Sequence, residues 1–232
     1  MSKSKKKNSN YKNNFTEEQE PVKSVMSADM KKNIIIWSVV AAIVIGMIIL
    51  GIVASAPKND DFVLESNYVE MDFGEYGTIV IELDMEQAPI TVENFAKLVM
   101  DGFYDGLTIF RAQEGFVMQG GKDANANLTA IKGEFSENGV ANNISHLRGV
   151  ISMARTGDPN SATSQFFITL DDSAKYSLDG KYAGFGRVVE GMDVVDAIAE
   201  ALYDHAVDYM GFVDDSDAIT IVSAKFIDYK AD

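Results

Sequence analysis

The segment GVISMARTGDPNSATSQFFITL, residues 149–170, holds two short apolar runs around a turn of small polar residues. Short runs heavy in Val, Ile and Phe and bounded by Gly, Asp, Asn and Ser read as strands, being too brief for helices. The same pattern recurs on both sides of it, as LTIFR and GFVMQ upstream and AGFGRVV downstream, and AITIVSAKF closes the chain as a final strand. Further upstream, YVEMDF and TIVIEL tend to alternate, with Ile79, Ile81 and Leu83 on one face and GEYG between them as a hairpin turn. Only two segments change period. After Pro89, residues Val92, Phe95, Ala96 and Val99 fall at helical spacing, with proline in the tolerated first turn and Gly102 as a stop. From Asp193 to Leu202 a second helix is expected to bury Val194, Val195, Ile198 and Leu202. Many short strands with short connections and two helices predict a mainly β domain, an antiparallel sheet closed into a barrel whose ends the helices plug. Closure also removes exposed strand edges.

Composition narrows the function classes. The chain has 232 residues, 47% of them hydrophobic, enough for one medium domain with a real core plus extra segments. There is no cysteine, which excludes disulfides, thiol catalysis, Cys-ligated metals and a lipoprotein anchor. Residues 1–33 carry eight lysines against four acidic residues, whereas the remainder carries 12 basic and 31 acidic residues. So acidic a domain is a poor partner for nucleic acid, which demands clustered Lys and Arg.

Between these parts lie 21 uncharged residues, from Ile34 to Ala54. A helix needs ~20 apolar residues to cross a bilayer core of ~30 Å, and Lys31 and Lys32 sit at the N-terminal edge. The expectation is therefore a single-pass cell-membrane protein with a cytoplasmic N-terminus and an extracytoplasmic domain. A cleaved signal peptide is the alternative, since Ala54-Ser55-Ala56 resembles a cleavage site. The long basic segment before it and Pro57 directly after the scissile bond favour the uncleaved anchor. The expected organisation is a basic, disordered tail over 1–33, a transmembrane helix over 34–54, a linker over 55–66 and one domain over 67–232.

Few residue clusters carry chemistry. The two histidines, His146 and His205, lie in no nucleophile motif such as G-x-S-x-G, and both are expected to be ordinary turn or surface residues. The acidic run Asp214 to Asp217 lacks the glycine and distal glutamate of a calcium loop and reads as a solvated loop. FRAQEGFVMQGG, residues 110–121, sets Arg111 on a strand among apolar neighbours, a position that requires hydrogen-bond partners.

Together, FRAQEGFVMQGG, GVISMARTGDPNSATSQFFITL and SLDGKYAGFGRV resemble the cyclophilin-type peptidyl-prolyl isomerases, in that family's order and spacing from about Val69 to Phe226. The resemblance implies a closed eight-stranded barrel capped by two helices, here preceded by the transmembrane helix. It also implies an enzyme that accelerates rotation about X-Pro bonds, with no metal or organic cofactor. Arg111 matches the family's catalytic arginine, with Phe116 and Gln119 beside it in the catalytic set. Phe116, Val117, Phe167 and Leu178 would hold the proline ring, and Gln119 would bond the substrate carbonyl and steady Arg111. Ala154, Arg155 (through its backbone), Gln165 and Tyr182 would line the adjoining groove.

The chain departs from the family at Val117, where many members have methionine, and at Tyr182, where well-known eukaryotic members have histidine. Ser177 aligns with the tryptophan of cyclosporin-sensitive members, so weak cyclosporin binding is expected. The implied partners are proline-containing polypeptides, here translocated unfolded proteins near the membrane. Two alternatives stand beside this reading: a non-catalytic chaperone or scaffold module that binds proline segments, and an unrelated barrel for a small ligand.

Overall fold

The computed structural model of the protein describes residues 66–230 together with Met30, Phe62 and Leu64. Asp61–Asp232 is one compact unit. It opens with a hairpin of β1 (Tyr68–Asp72) and β2 (Thr78–Leu83), turned through a single 3-10 turn at Gly74–Tyr76. Gly77 ends that turn at φ 105°, a conformation that a residue with a Cβ rarely adopts, so the GEYG turn needs its second glycine. Helix α1 (Pro89–Met100) follows, and then β3 (Thr108–Gln113), β4 (Val117–Gly120), β5 (Val150–Met153) and β6 (Phe166–Thr169). A one-turn helix α2 (Lys175–Leu178) leads to β7 (Gly184–Glu190), helix α3 (Met192–Tyr203), β8 (Ile219–Thr220) and β9 (Ser223–Ile227).

The nine strands form one sheet in the order β8-β3-β4-β6-β5-β7-β2-β1-β9, and its ladders are antiparallel. This corrects the expected closed eight-stranded barrel to a curled nine-stranded sheet that ladder pairing does not close. The discrepancy has one source. AITIVSAKF is not a single strand but two, β8 at one end of the sheet and β9 at the other. Ile221 and Val222 carry the chain between them: Ile221 N donates to Leu107 O beside β3, and Val222 N donates to Asp72 O at the end of β1. The run has no glycine or proline to mark the break, so its pattern reads as one strand.

The core lies between the curled sheet and the helices. Val92, Phe95, Ala96 and Val99 of α1 are buried as their spacing predicts, and Phe95 packs on Tyr104, Phe166 and Phe185 at centroid distances of 5.1, 6.2 and 5.0 Å. On α3 the buried residues are Val195, Ile198, Ala199 and Leu202, with Val194 only partly covered.

The membrane location expected from the sequence is corrected here. Among the described residues no helix is long and apolar enough to cross a membrane. The two longest, α1 and α3, have 12 residues each, or ~18 Å at the rise of an α-helix. The apolar segment 34–54, the basic tail before it apart from Met30, and most of the linker lie outside the described residues.

Candidate active site

Cross-strand register builds the site. Arg111 of β3 pairs with Gln119 of β4, Gln119 with Phe167 of β6, and Phe167 with Ser152 of β5. Directly paired residues in antiparallel strands project to the same face, so these four side chains form a row across the sheet. Two residues along β4 from Gln119, on the same face, Val117 begins an apolar patch with Phe167, Ala174 and Leu178, all buried, against which Phe116, Ala154 and Tyr182 pack.

A cavity of about 250 Å³ opens on this face. Nine of the ten expected residues line it: Arg111, Phe116, Val117, Gln119, Ala154, Arg155, Phe167, Leu178 and Tyr182. The tenth, Gln165, is not among the lining residues but bonds to one of them. Its Oε1 accepts from Gln119 Nε2 at 3.1 Å, while Gln119 Oε1 accepts from an Arg111 terminal nitrogen at 2.9 Å. The two amides thus link the residue just before β6 to the guanidinium.

Arg111 has the partners that its apolar setting requires. Besides Gln119, its other terminal nitrogen donates to Gln113 Oε1 at 2.7 Å, and its Nε donates to the Met210 carbonyl at 2.8 Å. A guanidinium has five N–H groups, so these three bonds leave one on each terminal nitrogen for a ligand. Burial draws its pKa down, with Asp208 and Tyr182 opposing, yet an arginine's ordinary value is so high that it stays cationic at neutral pH. An apolar cavity with a fixed, partly unspent cation at its rim can bind a ring and stabilise a developing lone pair beside it.

The opposite wall is a stack of flat groups. Arg155 lies over the Tyr182 ring at 4.6 Å and the Phe135 ring at 5.1 Å, and its guanidinium donates to the carbonyls of Lys181 and Thr156. That side chain is occupied in holding Tyr182, whose ring meets Phe167 edge-on at 5.5 Å.

Two contributors were missed in the sequence. Phe212 lines the cavity, and its ring lies 5.2 Å from the Arg111 guanidinium. The only local signal was an apolar stretch, YMGF, within an acidic loop. His146, expected in a turn or at the surface, is buried instead, and this is a correction. It stacks on Phe167 at 6.0 Å, its Nδ1 is 2.9 Å from Asp179 Oδ1, and its Nε2 is 3.0 Å from Ser152 Oγ. The Ser-His-Asp order invites a nucleophilic reading, but Ser152 and His146 have 0% and 1% of their surface exposed, so no substrate reaches them. His205 is exposed, as expected, and pairs with Asp217.

The family model for cyclophilin type peptidyl-prolyl cis-trans isomerase/CLD matches residues 68–225. This chain belongs to that family. The cyclophilin-type assignment is supported by relatives that carry the enzyme's name. Peptidyl-prolyl cis-trans isomerase A of Dickeya dadantii is 40% identical over 154 residues, covering 65% of this chain and 80% of that protein. A peptidyl-prolyl cis-trans isomerase of Acinetobacter baylyi is 43% identical over 144 residues, covering 59% and 73%. Among solved structures, cyclophilin AquaCyp293 from Hirschia baltica matches with a TM-score of 0.54 at 30% identity, over 70% of this chain and 74% of that one. A Cryptosporidium parvum cyclophilin type isomerase, crystallised in the presence of the dipeptide Ala-Pro, matches with a TM-score of 0.56 at 24% identity, over 70% and 99%. That last likeness is one of fold. The protein is a cyclophilin-type peptidyl-prolyl cis-trans isomerase.

Proposed function

We propose that residues 67–232 form the isomerase domain and that Arg111 carries its catalysis by binding the twisted X-Pro bond better than either planar isomer. The barrier to rotation is amide resonance, ~18–20 kcal/mol for a peptide bond, so no nucleophile is required. As the C–N bond twists, nitrogen regains its lone pair and becomes a better acceptor. The observation that carries this reading is the Arg111 guanidinium, fixed on three sides at the rim of an apolar cavity. Phe116, Val117, Phe167 and Leu178 hold the proline ring, and the remaining amide proton of Gln119 binds the substrate carbonyl. Ala154, the Arg155 backbone and Tyr182 guide the flanking chain, with Gln165 steadying Gln119. The substrates are polypeptide segments, unfolded chains among them, in which an X-Pro bond is accessible.

Steady-state isomerisation of proline peptides tests this. Arg111→Ala should lower kcat and kcat/KM together by at least a hundredfold, on the order of what a single transition-state donor supplies. Arg111→Lys should recover little, because an ammonium lacks the planar fork. Phe116→Ala should raise KM as well, since it removes cavity wall. A folded Arg111→Ala protein as fast as the parent would rule this mechanism out. In the same assay cyclosporin should inhibit weakly, because Ser177 is small and exposed on α2 and offers no indole; tight inhibition would contradict that.

A further inference from the structure

We propose that the loop at residues 208–212 is the device that positions Arg111, with Asp208 as the positioning residue that shapes it. The proposal rests on the reading of Arg111 as the catalytic cation. β8 pairs with β3 only at Thr108 and Ile109, which would leave the β3 edge bare where Arg111 stands. The loop covers that edge. Ala112 N donates to Gly211 O at 2.9 Å, Val213 N donates to Phe110 O at 3.1 Å, and Arg111 and Phe212 form an antiparallel bridge. The same loop reaches the guanidinium twice, through the Met210 carbonyl on Nε and through the Phe212 ring on its face. Gln113 and Gln119 hold the terminal nitrogens through rotatable amides, whereas the bond to Nε comes from a backbone carbonyl of a laddered segment.

The loop is built for this close approach. Asp208 Oδ1 accepts from Met210 N at 2.9 Å and from Phe212 N at 3.2 Å, and Val207 N donates to Phe212 O at 2.8 Å. Gly211 has φ +82°, and a Cβ there would stand 2.0 Å from Ala112 O, so another residue would push the loop off the strand. Asp208 itself is exposed and lies outside the cavity lining. The proline-ring contacts at Val117, Phe167 and Leu178 belong to other elements. Loosening the loop therefore misplaces the cation and the Phe212 edge of the cavity but leaves Val117, Phe167 and Leu178 in place, so the loss falls on turnover more than on affinity.

The test compares the full chain with Asp208→Ala, Asp208→Asn, Arg111→Ala and the Asp208→Ala/Arg111→Ala double variant, using a proline tetrapeptide followed by exchange NMR. Asp208→Ala should lower kcat on the order of tenfold, with a smaller rise in KM from the loosened Phe212. Asp208→Asn keeps the Oδ1 acceptor and should stay near the parent rate. In the Arg111→Ala background, Asp208→Ala should cost nothing further. A parental kcat in Asp208→Ala, a rise in KM alone, an equal loss in both backgrounds, or Asp208→Asn as slow as Asp208→Ala would each overturn the proposal. The last outcome would assign the effect to the Asp208 charge. The Arg111 Nε–H resonance gives a readout independent of turnover: it should be sharp in the parent and Asp208→Asn, and shifted and broadened in Asp208→Ala. If Arg111→Ala proves fully active but that resonance still responds to Asp208→Ala, the catalytic reading fails and the positioning of Arg111 stands.

Discussion

Behind the cavity, Phe167 rests on an imidazole that is almost wholly shielded from solvent. The neutral tautomer that satisfies both neighbours of His146 donates from Nδ1 to Asp179 and accepts at Nε2 from the Ser152 hydroxyl. Burial lowers the pKa of His146, and the hydrogen bond and charge of Asp179 only partly offset it. A histidine with a depressed folded-state pKa takes up protons more readily when unfolded. Its stabilisation is therefore complete above the unfolded value of about 6.5 and is lost as pH falls below it. Burial acts upward on Asp179, but hydrogen bonds from the His146 backbone, Ser145 and the His146 ring outweigh it, and the net pKa lies below the ordinary value. That contribution disappears at lower pH, below about 3.9. Thermal unfolding should accordingly show the melting temperature falling between pH 7 and pH 5. His146→Leu should lower stability at pH 7 by about 1–3 kcal/mol, through the stranded Ser152 and Asp179 groups, and should flatten this part of the profile. A variant profile parallel to the parent's would mean that another group titrates there.

At the scale of elements, α1 shows how a helix can depend on a loop far along the chain. Its N-cap residue, Ala88, has no side chain to accept the first amides, and Pro89 removes only one of them. The buried Glu134 supplies the rest, with Oε1 3.1 Å from Ile90 N and Oε2 2.7 Å from both Thr91 N and Thr91 Oγ1. A carboxylate at this end also meets the positive pole of the helix. Because Phe95 of α1 packs on Phe166 of β6, a displaced α1 disturbs the strand that presents Phe167. Glu134→Ala should cost about 2–3 kcal/mol, since three donors lose a charged acceptor, and Glu134→Gln should cost less. Urea denaturation measures both, and an unchanged midpoint in Glu134→Ala would show that water replaces the cap without penalty.

Across the whole molecule, the sheet encloses its core although its end strands, β8 and β9, are not paired with each other. The chain itself crosses between the ends, with Ile221 fully buried at the crossing. The acidic domain surface, the strand positions, the two long helices and nine cavity-lining residues were legible in the sequence. Each depends on local pattern or on motifs whose residues the chain keeps in fixed order. The spacing of Val92, Phe95, Ala96 and Val99 states the buried face through period alone, whereas in TIVIEL Val80 is buried on the face opposite Ile79, Ile81 and Leu83. The split of AITIVSAKF, the burial of His146 and the approach of Phe212 to Arg111 were not legible. Arg111 and Met210 stand 99 residues apart, and no periodicity records which distant backbone carbonyl will meet a given side chain. The sequence by itself determined most strands and the helices, through short-range sterics and apolar spacing, and the family, through motifs kept in order along the chain. Only the tertiary structure decided which loop covers the β3 edge, which carboxylate caps α1 and which histidine loses its water, because those depend on how separate elements pack.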